Sequence, residues 1–484
     1  MLWKRLRPGG RRLPAGGFLR RGFALMLILL LAAPPATSGA PTLQALGVRR
    51  ELPNGLVWLF SEQTNLPLVT INLVVKAGAL RDPAGKAGLA NLTALLLLQG
   101  TKTRNAAQIA REVDFLGARF SSTGGDDYSS ISLTVLKKDL DEGLDLFQDI
   151  LKNPVFAPEE LKQKVSQLKA ALKSEEDEPG VVAARAFDKR LFGPNPYAHP
   201  LKGTPEGLTA ITRQDVVEFH RKLYRPNNSI LTVVGDLSQD EAGTWVEKIF
   251  GSWEAADIPE LKIPPAPPLN KPEALIIDKD ITQANIIWGH LGMSRQNPDY
   301  YAFQVLDYIL GASGFASRLM DNIREQRGLV YSVHSSFDAG LQPGSITVTL
   351  ETKNANAGKA VEQVLKEIQR LRSEPVSPEE LEDAKSYLIG SFPRKIDSLS
   401  KRAWVMAYVE LYGLGLDYPS RYPGLIRGLT AADLQRVAQQ YLQPEHYLLV
   451  VVGRKTEIPK IDENLTQTGS KEKEHAPRKG QESP

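Results

Sequence analysis

Residues Gly88–Thr101 read GLANLTALLLLQGT. Leu89, Leu92, Leu95, Leu96, Leu97 and Leu98 make this segment apolar almost all round, the pattern of a helix buried by its neighbours rather than one with a solvent face. The only groups in it with side-chain lone pairs before the closing Gln99 and Thr101 are Asn91 and Thr93. Ala94 and Leu95 offer neither a metal ligand nor a proton acceptor.

Two further stretches belong with it. Leu172–Pro179, LKSEEDEP, is a charge run that reads as a solvated helix end, with Ala171 just before it. Leu310–Val333, LGASGFASRLMDNIREQRGLVYSV, runs from small residues through Ser-Arg-Leu to a helix carrying Arg324, then to Gly-Leu-Val-Tyr331 on a strand.

Together these stretches resemble the insulinase/pitrilysin family of zinc metallopeptidases, which includes the mitochondrial processing peptidases. The family's site helix reads G-x-A-H-x-x-E-H before Gly-Thr. Two histidines four apart share one helix face and one zinc, and the glutamate between them is the general base. In this frame the first histidine position is Asn91, the base is Ala94, the second histidine is Leu95, and the distal glutamate falls at Ala171. All four degenerate positions are changed together, so the resemblance implies no metal and no hydrolysis by this chain alone. Glu175 and Glu176 lie over a turn of helix beyond Ala171 and are poor substitutes.

The Leu310–Val333 resemblance implies the opposite for a second pair. In catalytic relatives an arginine and a tyrosine reach the zinc site across a chamber, and here they are Arg324 and Tyr331. Guanidinium and phenol donors suit the oxyanion that develops when a peptide carbonyl is attacked. Gly311 and Gly314 stand where the non-catalytic processing-peptidase subunit has a Gly-rich loop, which makes them candidates for gripping substrate.

Outward from these motifs the mature chain contains one unit twice. Ile211–Gly235, ITRQDVVEFHRKLYRPNNSILTVVG, and Leu429–Gly453, LTAADLQRVAQQYLQPEHYLLVVVG, align at a constant offset of 218, Thr212 on Thr430 and Asp215 on Asp433. In each copy a Thr N-cap opens a helix, a proline follows it, and an apolar strand runs to glycine. Ala157-Pro-Glu-Glu-Leu161 and Ser377-Pro-Glu-Glu-Leu381 pair in the same order, both with Pro and acids opening a helix. Period-two apolar runs at Val69, Ile71, Leu73 and Val75, at Ile131, Leu133 and Val135, and at Ile346, Val348 and Leu350 predict strands. Ile109, Val113 and Leu116, and Leu140, Leu144, Phe147 and Leu151, predict helices. Ile258–Pro272, with six prolines, reads as the linker between the copies. The expected organisation is a signal segment (1–40), an N-terminal half (41–257), the linker (258–272), a C-terminal half (273–456) and a disordered polar tail (457–484). The fold class is α+β: the resemblance implies that each half is an antiparallel sheet packed with helices, and that the halves face each other as a clamshell.

The 484-residue chain is large enough for two domains, and its hydrophobic content of 42% is that of a globular protein. Its first 22 residues carry seven Lys and Arg and no acid; the apolar run Phe23–Ala33 and small residues around Ala36–Ala40 complete a secretory-signal layout. Eleven apolar residues are too few for a bilayer span, which takes about 20. Without residues 1–40 the formal charge moves from +3 to −4, so nothing favours nucleic acid. The chain has no cysteine, hence no disulfide and no thiol nucleophile, and its six histidines never sit three or four apart.

The expected function is a non-catalytic subunit of a heteromeric periplasmic zinc peptidase. A homologous partner with an intact His-x-x-Glu-His motif would supply the zinc, and this chain would bind unfolded or extended peptide and present Arg324 and Tyr331. The alternative is a peptide-binding or scaffolding protein of the same fold with no proteolytic role; an enzyme with an unrecognised site is a third reading.

Overall fold

The repeated Thr-x-x-Asp signal opens the same structure twice. Thr212 and Thr430 each accept from the backbone of Asp215 or Asp433, whose side chains return the bond to the threonine backbone. The helices Arg213–Leu223 and Ala431–Tyr441 follow, and each leads to a fully buried strand, Ser229–Gly235 and Leu448–Gly453. These relations come from a computed structural model that describes residues 45–459; the expected signal segment and tail residues 460–484 lie outside the described residues.

The N-terminal half has six strands: β1 (Val48–Glu51), β2 (Val57–Glu62), β3 (Leu68–Val75), β4 (Arg119–Gly124), β5 (Ser129–Leu136) and β6 (Ser229–Gly235), in sheet order β1-β2-β6-β3-β5-β4. The C-terminal half has β7 (Glu273–Asp278), β8 (Gln283–Leu291), β9 (Val330–Ala339), β10 (Pro343–Lys353) and β11 (Leu448–Gly453), in order β7-β11-β8-β10-β9. The α+β class and the two halves are as expected. The sheets are mixed rather than wholly antiparallel, because β2 pairs with β6 and β7 with β11 in parallel. In each half this pair joins an early strand to the last, and the intervening chain easily supplies the long crossover that parallel pairing needs.

Five helices complete the N-terminal half's main features: α1 (Leu89–Leu96), α2 (Ala106–Phe115), α3 (Leu140–Lys152), α4 (Pro158–Ser174) and α5 (Pro179–Phe192). Its core joins Val69, Ile71, Leu73 and Val75 of β3 to Leu92 and Leu96 of α1 and to Leu144, Phe147 and Leu151 of α3. β3 is buried on both faces, since Thr70, Asn72 and Val74 are buried too. The cover for the second face comes from the other half: the helix Leu399–Leu411 packs on β3 and β6, and its Arg402 Nε donates to Ser61 on β2 at 2.8 Å. The reverse also holds. Ala183, Phe187, Leu191 and Phe192 of α5 form one core cluster with Ile287, Leu448, Val450 and Val452 of the C-terminal sheet. Each half therefore lends a helix to the other's sheet, and the clamshell halves interlock.

The Pro-rich segment 258–272 runs between the halves without helix or strand, tied by Asn195 Nδ2 to the Pro264 carbonyl at 3.1 Å. The packed chain continues past 457, where the tail was expected to begin. Asn354 and Arg454 bond Glu457, and Ile458 is buried, so an apolar side chain anchors this first part of the tail. Among the described residues no helix is long and apolar enough to cross a membrane.

Candidate functional site

Helix α1 starts where the chain turns through Gly88, whose φ of 98° is left-handed and whose missing Cβ leaves room for the Gly203 backbone. The Asp82 carboxylate takes up free N–H groups of the first turn, accepting from Gly88 and Ala90 at 2.7 Å each. The helix is then fastened to edge strand β4. Ser122 Oγ donates to the Ala94 carbonyl at 2.7 Å, and a Cβ on Gly124 would meet the Asn91 Cα at 2.5 Å. Leu89, Ala90, Leu92, Thr93, Ala94 and Leu96 are buried, as the all-round apolar pattern requires.

The degenerate positions are brought together. Asn91, Ala94 and Leu95 lie on α1, Ala171 lies on α4, and the two helices pack against each other. They do not fit zinc. Ala94, Leu95 and Ala171 have no donor atom, and the Asn91 amide oxygen faces the Gly124 N–H at 3.4 Å. Leu95 is half-buried against the N-terminal core, so hydrocarbon fills space where a ligand would stand. Glu175 is no replacement, because Arg185 and Lys202 bond its carboxylate in the turn beyond α4. Among the described residues no group of three or more His, Asp or Glu could hold a metal ion.

Arg324 and Tyr331 are built differently. Two π-helical turns, Tyr308–Ala312 and Met320–Gln326, bracket the small-residue loop, a backbone irregularity that recurs at functional sites. Arg318 anchors the loop through a two-pronged bond to Glu380, at 2.6 and 2.8 Å, and that bond pulls the Glu380 carboxyl down to about 2. Ser317, fully buried, donates to the Gly314 carbonyl at 2.7 Å and so closes the turn. Arg324 emerges from the second π turn with its guanidinium 5.2 Å from the centroid of Phe315 and 3.9 Å from the Met320 sulfur. Tyr331 opens edge strand β9, is 45% exposed, and its hydroxyl has no partner among the described residues. No bond, ion pair or ring contact links Arg324 or Tyr331 to Asn91, Ala94, Leu95 or Ala171.

Gly311 has a packing reason of its own. It is buried, and a Cβ there would meet the Ser335 backbone nitrogen at 2.3 Å, so glycine is needed for the π turn to lie on β9. Gly314 is different: its φ of 65° is left-handed, with open space beside it. Phe315 escaped the motif reading because an aromatic in a loop reads as ordinary core. Its 70% exposure beneath a guanidinium becomes visible only in three dimensions.

Known proteins match this picture. A family profile described as insulinase (peptidase family M16) matches residues 58–205, and one described as the peptidase M16 inactive domain matches residues 210–388. An uncharacterized zinc protease of Rickettsia bellii is 27% identical over 81% of this chain and 93% of its own length. A Helicobacter pylori protein named non-peptidase homolog YmxG is 25% identical over 82% of this chain and 91% of its own. Among solved structures, a peptidase M16 inactive domain from Pseudomonas fluorescens superposes with a TM-score of 0.79 at 27% identity, covering 84% of this chain and 98% of that one.

Proposed function

Because the chain belongs to the insulinase (M16) family of peptidases and is an inactive member of it, we propose that it is the non-catalytic subunit of a two-chain zinc peptidase of the periplasm. The family assignment fits a non-catalytic role; the partner, its zinc and the peptide substrate are the proposed part. The observation that carries the reading is an asymmetry. Hydrocarbon stands at Ala94, Leu95 and Ala171, where a base and metal ligands would be, while Tyr331 is exposed with its hydroxyl unbonded and Arg324 is half-buried. The unbonded Tyr331 hydroxyl, and an Arg324 guanidinium held only by long contacts to Glu325, Met320 and Phe315, suit a reacting group on another chain, where guanidinium and phenol would stabilise the charge that develops on a peptide carbonyl.

The experiment is affinity isolation of the tagged chain from its native envelope, followed by a peptide-cleavage assay. Recovery of a near-stoichiometric homologue bearing His-x-x-Glu-His, with chelator-sensitive cleavage, supports the split peptidase. Recovery of the chain alone, binding peptide without cleaving it, supports the alternative of a binding or scaffolding protein. The non-peptidase name of the Helicobacter pylori relative favours that alternative.

A further inference from the structure

The interlocked halves meet around a cavity of about 490 Å³. The β4–β5 turn contributes Asp126, Asp127 and Tyr128 to it, and α5 contributes Asp188. Tyr197 and His199 enter from the turn after α5, while Asp338 at the end of β9 and Tyr412 after Leu399–Leu411 come from the C-terminal half. No lysine or arginine lines it.

One carboxylate is fully engaged. Asp127 is buried and accepts from the Tyr197 hydroxyl, from Tyr412 Oη at 2.6 Å and from the Leu341 N–H at 2.9 Å, the last two reaching across from the C-terminal half. The β9–β10 hairpin seats tightly enough that a Cβ on Gly340 would meet Asp127 Oδ2 at 2.8 Å. Beside this latch, the side chains of Asp126, Asp188 and Asp338 have no hydrogen bond and no ion pair among the described residues. Two of them belong to the N-terminal half and one to the hairpin strand that presses on it.

We propose that Asp126, Asp188 and Asp338 make the seam between the halves proton-dependent, tight while they hold protons and loosened when all three ionise.

Desolvation, then repulsion from Asp127 and from Asp338, pushes Asp126 up to about 6; desolvation, then repulsion from Asp338 and Asp126, pushes Asp188 up to about 7; desolvation raises Asp338. The surroundings supply no relief. Tyr128, Tyr197 and Tyr412 cannot carry positive charge in any protonation state, and desolvation disfavours the charged form of His199. Asp307, behind β9, is pushed up to about 6, mainly by desolvation and partly by Asp338, and adds to the repulsion. Each raised carboxyl ionises in the unfolded chain from about 3.8, so its stabilising effect is complete below that value. The effect is lost as pH climbs through the folded values of about 6 to 7.

The test is amide hydrogen exchange of the full chain at pH 5.5 and 8.5, corrected for intrinsic rates, in wild type, Asp188→Asn and Asp338→Asn. The Leu341 amide, which donates across the seam, is expected to lose protection about tenfold in wild type, the factor that one unit of proton affinity represents. Each variant should flatten that loss. Protection independent of pH in wild type overturns the proposal, as does a full loss retained in both variants. A loss of equal size at the buried amides of β6 overturns it as well, because the transition would then be global.

Discussion

The guanidinium of Arg324 lies over the ring of Phe315, 5.2 Å from its centroid, although Phe315 is 70% exposed. An exposed cation–π contact is worth about 0.5–1 kcal/mol, so Phe315 is a weak but specific restraint on where Arg324 points. Phe315→Ala, Arg324→Ala and Tyr331→Phe should each change stability by no more than about 1 kcal/mol, the upper worth of that contact. In a co-purified pair, Arg324→Ala and Tyr331→Phe should each reduce peptide cleavage about 100-fold, the usual loss for one oxyanion donor. Phe315→Ala should cost about two- to fivefold, its contact energy converted to rate. Steady-state hydrolysis beside thermal melts checks this, and full activity in all three variants would leave the pair no part in chemistry.

Helix α1 now earns its place by packing. Leu96 is fully buried and Leu95 only half-buried. Leu96→Ala should therefore destabilise by about 3 kcal/mol and Leu95→Ala by about 1 kcal/mol in urea titrations. Equal losses would mean that position 95 is as embedded as its neighbour and that no remnant of a site opening survives.

Asp127 sets the seam. With Tyr412 and Leu341 donating to it from the other half, Asp127→Asn turns one acceptor into a donor facing donors. That should cost about 2–4 kcal/mol, against about 1 kcal/mol for Tyr412→Phe, which removes one donor and leaves the others. Asn within about 0.5 kcal/mol of wild type would show the seam to be held by helix exchange alone.

Much of the architecture was legible because duplication writes local signals twice. Thr212 with Asp215 and Thr430 with Asp433 are capping boxes whose partners lie three residues apart, within reach of pattern reading. The α1 frame was legible for a related reason, since each degenerate position is identified by what stands beside it. Helix exchange was not. Phe187 covers Ile287 and Val450, and nothing local in α5 says whose sheet its apolar face will meet. The parallel pairs escaped likewise, because the near-continuous buried runs of β2 and β6 read the same whichever way the strands point. Asp127 was hidden in a Gly-Gly-Asp-Asp turn that reads as solvated loop, and only the arrival of Tyr412 from far along the chain makes it a buried hub.

Zinc should leave the isolated chain indifferent. A metal that binds only the folded state raises stability by RT ln(1 + [L]/Kd), about 2.7 kcal/mol at 100-fold over Kd. With Ala94, Leu95 and Ala171 offering no ligand, zinc at about 100 µM should not move the melting temperature, and chelator should not lower it. Any chelator-reversible rise would expose a metal site outside the α1 frame.

The last expectation concerns acid. His290 is buried at 2% exposure, its Nε2 accepting from the Gln443 N–H at 3.2 Å and its Nδ1 bonding the Leu291 carbonyl at 2.9 Å. That arrangement uses a neutral ring, and desolvation pushes its pKa down to about 4. The unfolded chain binds this proton near 6.5 and the folded chain only near 4, so stability falls as pH drops between those values, by about 3 kcal/mol from this group. The seam carboxylates act in the opposite sense over much of the same range, since their raised values favour the folded state as acid rises. Bulk acid stability alone therefore cannot separate the two. The difference between wild type and His290→Gln can, because every other group cancels in it. That difference should shift against wild type by about 3 kcal/mol between pH 7 and pH 4 in denaturant titrations. A difference that stays constant with pH would mean that His290 is protonated within the fold and that its bond to Gln443 gives way at little cost.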